Sequence, residues 1–199
     1  MKHIKKVLLT VTIFCCAFQL PSESRESDGT LGLIQTPNNG VPVITTSAIS
    51  FQATLSKEAT LTLIKNDGSS SPLHTTWTPL PGDLVQAQCT MPVPPLPGTY
   101  TLCAETNGIK DCNIRSVYIR ESIPESYTIA HITDTHIGTT RHPRESIAII
   151  SDIIDATNTS EADLVLITGD LTEDGTPEQF QHFLEVMDRC QMPTFVIAG

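Results

Sequence analysis

The sequence predicts two domains of different class, a small all-β domain followed by the opening β-α-β-α-β portion of an α/β domain. Three observations carry this. Between about residues 43 and 121, short alternating runs recur with turn signals between them. From about residue 127, buried-type apolar runs alternate with amphipathic helical patterns. Between them, residues 121–126 change texture, and Pro124 marks the boundary.

The chain has 199 residues and a formal net charge of -10. That charge argues against a binder of nucleic-acid duplexes, which needs a basic face. It also means that an anionic substrate has to be recruited by metal ions, since the overall field repels it.

Residues 1–20 read as a signal segment. Lys2, Lys5 and Lys6 form a basic start, and residues 7–18 are an apolar run too short to anchor stably in a bilayer. Cleavage after Ala17 and lipidation at Cys15 or Cys16 are the two alternatives. Either way the expectation is an exported protein, secreted, periplasmic or surface-attached. It would meet a membrane only through this segment or a lipid anchor. Residues 21–42, with Asn38-Asn39-Gly40 and Pro42, read as a linker and first turn.

Residues 43–123 form the all-β domain. Strands are expected over 50–55, 59–65, 84–89, 99–105 and 109–120, with Asn66-Asp67-Gly68 turning the chain. Short strands at this spacing suggest a β-sandwich of the immunoglobulin-like kind. Trp77 is expected in its core, and the Pro-rich run 91–97 in a loop.

Asn107-Gly108 fixes a register there, because a type I′ turn needs positive φ at both positions. With these two as the loop, Thr106 faces Ile109, Glu105 faces Lys110 and Cys103 faces Cys112. A non-hydrogen-bonded pair has Cα atoms about 4.5 Å apart, at the short end of what a disulfide accepts. Export makes a Cys103–Cys112 bridge the expected state. Cys89 and Cys190 read as buried small hydrophobes.

Residues 124–199 carry the α/β pattern. The run Ile129-Ala130-His131-Ile132 is a buried strand ending in Thr133-Asp134-Thr135-His136, and His131 is expected in the core. A helix over 144–158 places Ile147, Ile150 and Ile154 on one face, widened by Ile149 and Ile153. The strand Leu164-Val165-Leu166-Ile167 ends in Thr168-Gly169-Asp170. Thr176-Pro177-Glu178-Gln179 then opens a second helix with a capping-box pattern. That helix is expected to bury Phe180, Phe183, Leu184 and Met187 and to end near Arg189. Residues 194–198 form a third strand. Three strands joined by such crossovers in one sheet are parallel.

The chemistry lies at the strand ends. An aspartate and a histidine two apart lie on the same side of an extended chain, so Asp134 and His136 can reach one cation. Asp170, from the next strand, can bridge to a second, and Gly169 allows the turn that presents it. Open α/β sheets bind ligands outside the carboxyl ends of their strands. The donors suit Mn, Zn, Fe or Ni. Two such ions clamp a phosphate and acidify a bound water.

Asp134-Thr135-His136 and Gly169-Asp170 resemble, in order and spacing, the first two motifs of the calcineurin-like metallophosphoesterases. The run Asp170-Leu171-Thr172-Glu173-Asp174-Gly175 resembles the branch that contains cyclic-nucleotide phosphodiesterases. The resemblance covers about residues 127–199. It implies an α/β metallophosphoesterase domain, hydrolysis of phosphate mono- or diesters, and two divalent metal ions. Asp134 and His136 would hold the first ion, and Asp170 would bridge both.

Purple acid phosphatases are a poorer match, since they carry a tyrosine where this chain has Glu173 and lack the histidine present here as His136. The family's third motif, Gly-Asn-His, would begin at Gly199. Its asparagine, its catalytic histidine and the later ligands are therefore expected beyond Gly199, and the 199 residues are expected to be a largely inactive fragment.

Arg141 and His142 are candidates for facing a substrate phosphate, against a solvated loop as the bland reading, and Glu173 is a candidate for supporting the ligands, against simply capping the turn. A non-catalytic surface or adhesion module with a vestigial phosphoesterase half is the competing reading of the whole. A structural metal tying two strands together is the third. Asn158-Thr159-Ser160 is a glycosylation sequon, meaningful only in a eukaryotic source.

Overall fold

The structure, a computed structural model, describes residues 32–46 and 50–198. The expected signal segment, the first part of the expected linker and Gly199 lie outside the described residues. No helix among the described residues is long and apolar enough to cross a membrane.

The first part of the chain forms two sheets. One has the order β1-β3-β7-β6, from β1 (Ile34–Thr36), β3 (Phe51–Leu55), β7 (Leu84–Thr90) and β6 (His74–Leu80). The other has the order β2-β9-β8-β4-β5, from β2 (Val43–Thr46), β9 (Ile109–Arg120), β8 (Gly98–Thr106), β4 (Thr60–Lys65) and β5 (Ser70–Pro72). Alternating residues from both sheets, such as Phe51, Leu55, Leu63, Leu102 and Val117, fill one common cluster. Trp77 packs against that cluster partly buried, and Cys89 is fully buried within it.

Two differences from the sequence reading stand out here. The stretch assigned to a linker contributes β1, with Leu33 and Ile34 buried in the core. Strand β6 was not foreseen, because Thr, Trp and Pro at its centre give no clear alternation. The hairpin register is as expected: Thr106 pairs with Ile109, Glu105 with Lys110 and Cys103 with Cys112. Cys103 and Cys112 form a disulfide. The Pro-rich loop exposes Val93 and Leu96, and the Tyr100 hydroxyl pins it by donating to the Leu96 carbonyl at 2.6 Å.

The second part holds a parallel sheet of order β10-β11-β12, from β10 (Ile129–Thr133), β11 (Leu164–Gly169) and β12 (Thr194–Ala198). Helices α1 (Ser146–Asn158) and α2 (Pro177–Met187) join the strands. Ile150 and Ile154 of α1 and Phe183, Val186 and Met187 of α2 are buried with Ile132, Val165 and Ile167 of the sheet. Thr176 caps α2 as expected, its hydroxyl accepting from the Gln179 N–H at 3.2 Å. The Gln179 side chain, however, pairs with Asp174 instead of closing the box. His131 is exposed, not core; its ring meets the Thr168 hydroxyl at 2.9 Å. It belongs to the sheet face away from the cluster that Ile132 joins, because successive strand residues alternate faces.

Strand β9 ties the two parts together. The Arg120 guanidinium donates to the Asp163 carbonyl at 2.8 Å and pairs with its carboxylate at 3.3 Å. The Tyr118 hydroxyl donates to the Met192 carbonyl at 3.0 Å, and Arg115 donates to the Cys190 carbonyl. Asp163 and Met192 stand just before β11 and β12, at the amino ends of the parallel strands. Along the outer edge of β12, Val196 N–H donates to the Gly40 carbonyl at 2.9 Å. The sequon asparagine is committed to structure: Asn158 donates to the Arg189 carbonyl and accepts from the Gln191 N–H.

Candidate metal centre

Thr133 and Thr168 are register partners, so β10 and β11 end side by side, with Asp134 directly after Thr133 and Asp170 directly after Gly169. The lacing continues past the strands. Asp134 N–H donates to the Thr168 carbonyl, His136 N–H to Asp170, and Ile137 N–H to Leu171, each at 3.0 Å. The two loops are therefore held together by backbone before any side chain takes part.

The Asp-x-His geometry differs from the expected extended chain. Asp134 and His136 lie in the left-handed region, at φ of 52° and 41°. Thr135 between them is buried, its hydroxyl donating to the Leu171 carbonyl at 2.7 Å. The left-handed conformation costs on the order of 1–2 kcal/mol per non-glycine residue. Such strain collects at functional sites and is held there by the surrounding structure.

Gly169 sits at φ 80°, and a Cβ placed there would lie 2.5 Å from Asp134 Oδ1. The glycine is needed for its conformation and for the space that it leaves to the carboxylate. Asp134 Oδ1 accepts a long bond, 3.4 Å, from the Asp170 N–H. His136 Nε2 is 4.0 Å from Asp170 Oδ2. On its other side, His136 Nδ1 is 2.9 Å from Glu173 Oε2. That contact is close but off the line of a hydrogen bond, so these two buried atoms lack an aligned partner.

The three expected ligands thus reach one end of the sheet. Among the described residues, no three His, Cys, Asp or Glu side chains converge as they stand into a set that could hold an ion. The donors nevertheless fit a divalent transition ion in kind, being carboxylate oxygen and imidazole nitrogen. The buried, unaligned Nδ1 and Oε2 indicate a site whose polar groups are not yet satisfied.

Of the further candidates, Arg141 reaches Glu173 Oε1 at 2.6 Å and is otherwise largely exposed. His142 is exposed and accepts from the Arg144 N–H at 3.2 Å, within its own loop. Glu173 is the residue whose part sequence reasoning left open. Its N–H donates to the Ile137 carbonyl at 3.0 Å, which carries its side chain to His136. The readable signal was its place three residues after Asp170.

Residues 127–199 match the family described as calcineurin-like phosphoesterase. A 3′,5′-cyclic-nucleotide phosphodiesterase of Nostoc sp. is 32% identical over 88 residues, covering 41% of this chain and 32% of the relative. The chain therefore spans about a third of the length of that curated relative. Among solved structures, a purple acid phosphatase from yellow lupin (Lupinus luteus) seeds aligns at 15% identity and a TM-score of 0.38, over 75% of this chain and 33% of that one. An amylomaltase from Corynebacterium glutamicum aligns at 13% identity and a TM-score of 0.32, over 63% of this chain and 20% of that one. At these scores neither overlay carries an argument. The match over residues 127–199 contains Asp134-Thr135-His136 and Gly169-Asp170, so this part of the chain is similar to the calcineurin-like phosphoesterase family.

Proposed function

We propose that the protein is an exported hydrolase of phosphate mono- or diesters that works with a pair of divalent metal ions. The observation that carries this reading is the placement of Asp134, His136 and Asp170 at the laced carboxyl ends of β10 and β11, with Gly169 making room for the Asp134 carboxylate. Asp134 and His136 would hold one ion and Asp170 would bridge to the second. Bound there, such ions polarise a phosphoryl oxygen and acidify water. The protein's own part is to fix the donors on backbone that cannot drift and to keep Thr135 and Ile137 buried beneath them. Arg141, paired with Glu173, is an exposed cation beside the site that could face a substrate phosphate. The activity for which the Nostoc relative is named favours a 3′,5′-cyclic nucleotide as the first diester to try.

The first part of the chain reads as an immunoglobulin-like sandwich. The orders β1-β3-β7-β6 and β9-β8-β4 correspond to the ABED and GFC sheets of that fold. Tyr100, near the start of β8, bonds back to Leu96 in the manner of a tyrosine corner. Its contacts fall at the amino ends of β11 and β12 and along the edge of β12. Its role here is to hold the α/β part from behind rather than to shape the entrance to the site.

The test is equilibrium binding of Mn²⁺ and Zn²⁺ to the protein and to its Asp134→Asn variant, with hydrolysis of cyclic and linear phosphodiesters alongside. Binding lost in the variant, with hydrolysis that depends on the ion, supports the reading. Absence of both binding and hydrolysis in the unsubstituted protein overturns it.

A further inference from the structure

Glu173 stands out beside the site because its two oxygens have different partners. Oε1 meets the Arg141 guanidinium at 2.6 Å, and Oε2 meets His136 Nδ1 at 2.9 Å. The side chain is only 18% exposed, whereas Asp170 is 61% exposed and Arg141 79%. Backbone, not chance, brings it there. Ile137 and Thr172 form a parallel bridge, with Ile137 N–H donating to Leu171 and Glu173 N–H donating to Ile137.

The His136–Glu173 contact is incomplete. Both facing atoms are buried, they are within bonding distance, and neither has an aligned partner. Two buried polar groups left in this way are costly. The last side-chain torsion of the imidazole is broad and soft, so a turn about it is the adjustment that would align the ring N–H with the carboxylate.

We propose that Glu173 is a positioning residue that accepts a hydrogen bond from Nδ1–H of His136 and so fixes the ring in that tautomer. The lone pair is then on Nε2, the nitrogen on the side of Asp170. Which ring nitrogen is free to bind an ion is set by the bond that the other makes, and a carboxylate in that role also orients the ring. Arg141 holds the opposite oxygen and keeps the carboxylate turned toward the histidine. The consequence for ion binding rests on the function proposed above; the tautomer itself does not.

The experiment is nitrogen NMR of the imidazole rings in the full chain, metal-free and at a pH where histidine is neutral. A His136→Asn spectrum assigns the signal. The expected result is the Nδ1–H form of His136 in the unsubstituted protein and a shift toward the Nε2–H form in Glu173→Ala. Glu173→Gln, whose amide oxygen still accepts, is expected to retain the Nδ1–H form. Glu173→Asp is one methylene too short to reach and gives the same reading as alanine should that variant not fold. In parallel, Zn²⁺ affinity is expected to fall about 10- to 100-fold in Glu173→Ala. An unchanged tautomer in both Glu173→Ala and Glu173→Asp overturns the inference, whatever the metal does. A shifted tautomer in a protein that binds no Zn²⁺ or Mn²⁺ sustains it and sinks the metal reading instead.

Discussion

Asp134 Oδ1 occupies the space where any other residue at position 169 would place its Cβ, 2.5 Å from that point. Gly169 also sits at φ 80°, which an alanine adopts only under strain. Gly169→Ala therefore pushes the carboxylate away and strains the turn together. The expected loss is about 1–3 kcal/mol, which lowers Tm by roughly 2–4 °C per kcal/mol in a protein of this size. Zn²⁺ affinity should fall with it. A variant with unchanged Tm and unchanged ion binding would show that the close approach carries no weight.

Asp134 itself should behave in the opposite way. Its φ of 52° is tolerated at least as well by asparagine, and the amide oxygen can still accept from the Asp170 N–H. Asp134→Asn should thus leave metal-free stability within about 0.5 kcal/mol of the original. Only the original should gain stability from the ion, by about 2.7 kcal/mol at a hundred times its Kd. Thermal melts with and without Zn²⁺ read both. A variant that is already destabilised without metal would mark the carboxylate as structural.

The place of the candidate site at the end of the sheet was legible because Asp134, His136 and Asp170 follow apolar runs, and such runs end where a parallel sheet ends. What the sequence could not show is that Asp134 and His136 leave the extended conformation. That depends on Thr135 finding Leu171 across the loop, a contact between residues 36 apart. His131 was misread for a related reason. An apolar run looks buried on both faces, yet here the His131 face lies opposite the one that α1 and α2 cover. Strand β1 escaped notice because three residues are too few for a period, and its place comes from pairing with β3. The hairpin, by contrast, was local. Asn107-Gly108 sets the turn, and everything out to Cys103 and Cys112 follows from counting.

Arg120 and Asp163 join the two parts of the chain, and the join should depend on pH. The Thr128 N–H, and then Arg120, hold the Asp163 carboxyl below its usual range. The folded state therefore favours the carboxylate. The stability this adds is fully present above the ordinary aspartate value, about pH 4, and is lost as pH falls through the lowered one. Asp163→Asn should be less stable than the original at pH 7, and the gap should narrow as pH falls below about 4. Urea midpoints at neutral pH and well below that value decide it. A gap of the same size at both would mean that the loss comes from packing and not from charge.

The Cys103–Cys112 bridge closes a short loop between two interior strands of the five-stranded sheet, with sequence separation 9. Chain-entropy reasoning puts its contribution at about 2–3 kcal/mol. The Cys103→Ala/Cys112→Ala double variant should therefore melt several degrees lower yet still fold, since the ladder from Thr99 to Ile109 and beyond has other rungs. Hydrogen exchange locates the effect. Protection should fall in β8 and in the first half of β9, as far as the register shift between Tyr100 and Leu102. Beyond that shift, Tyr118 and Arg120 are bonded to Met192 and Asp163 of the other part. Protection there, and in β11, should hold. If β11 loosens as well, the second part draws its stability from the two-sheet part through β9, and the two would unfold as one unit.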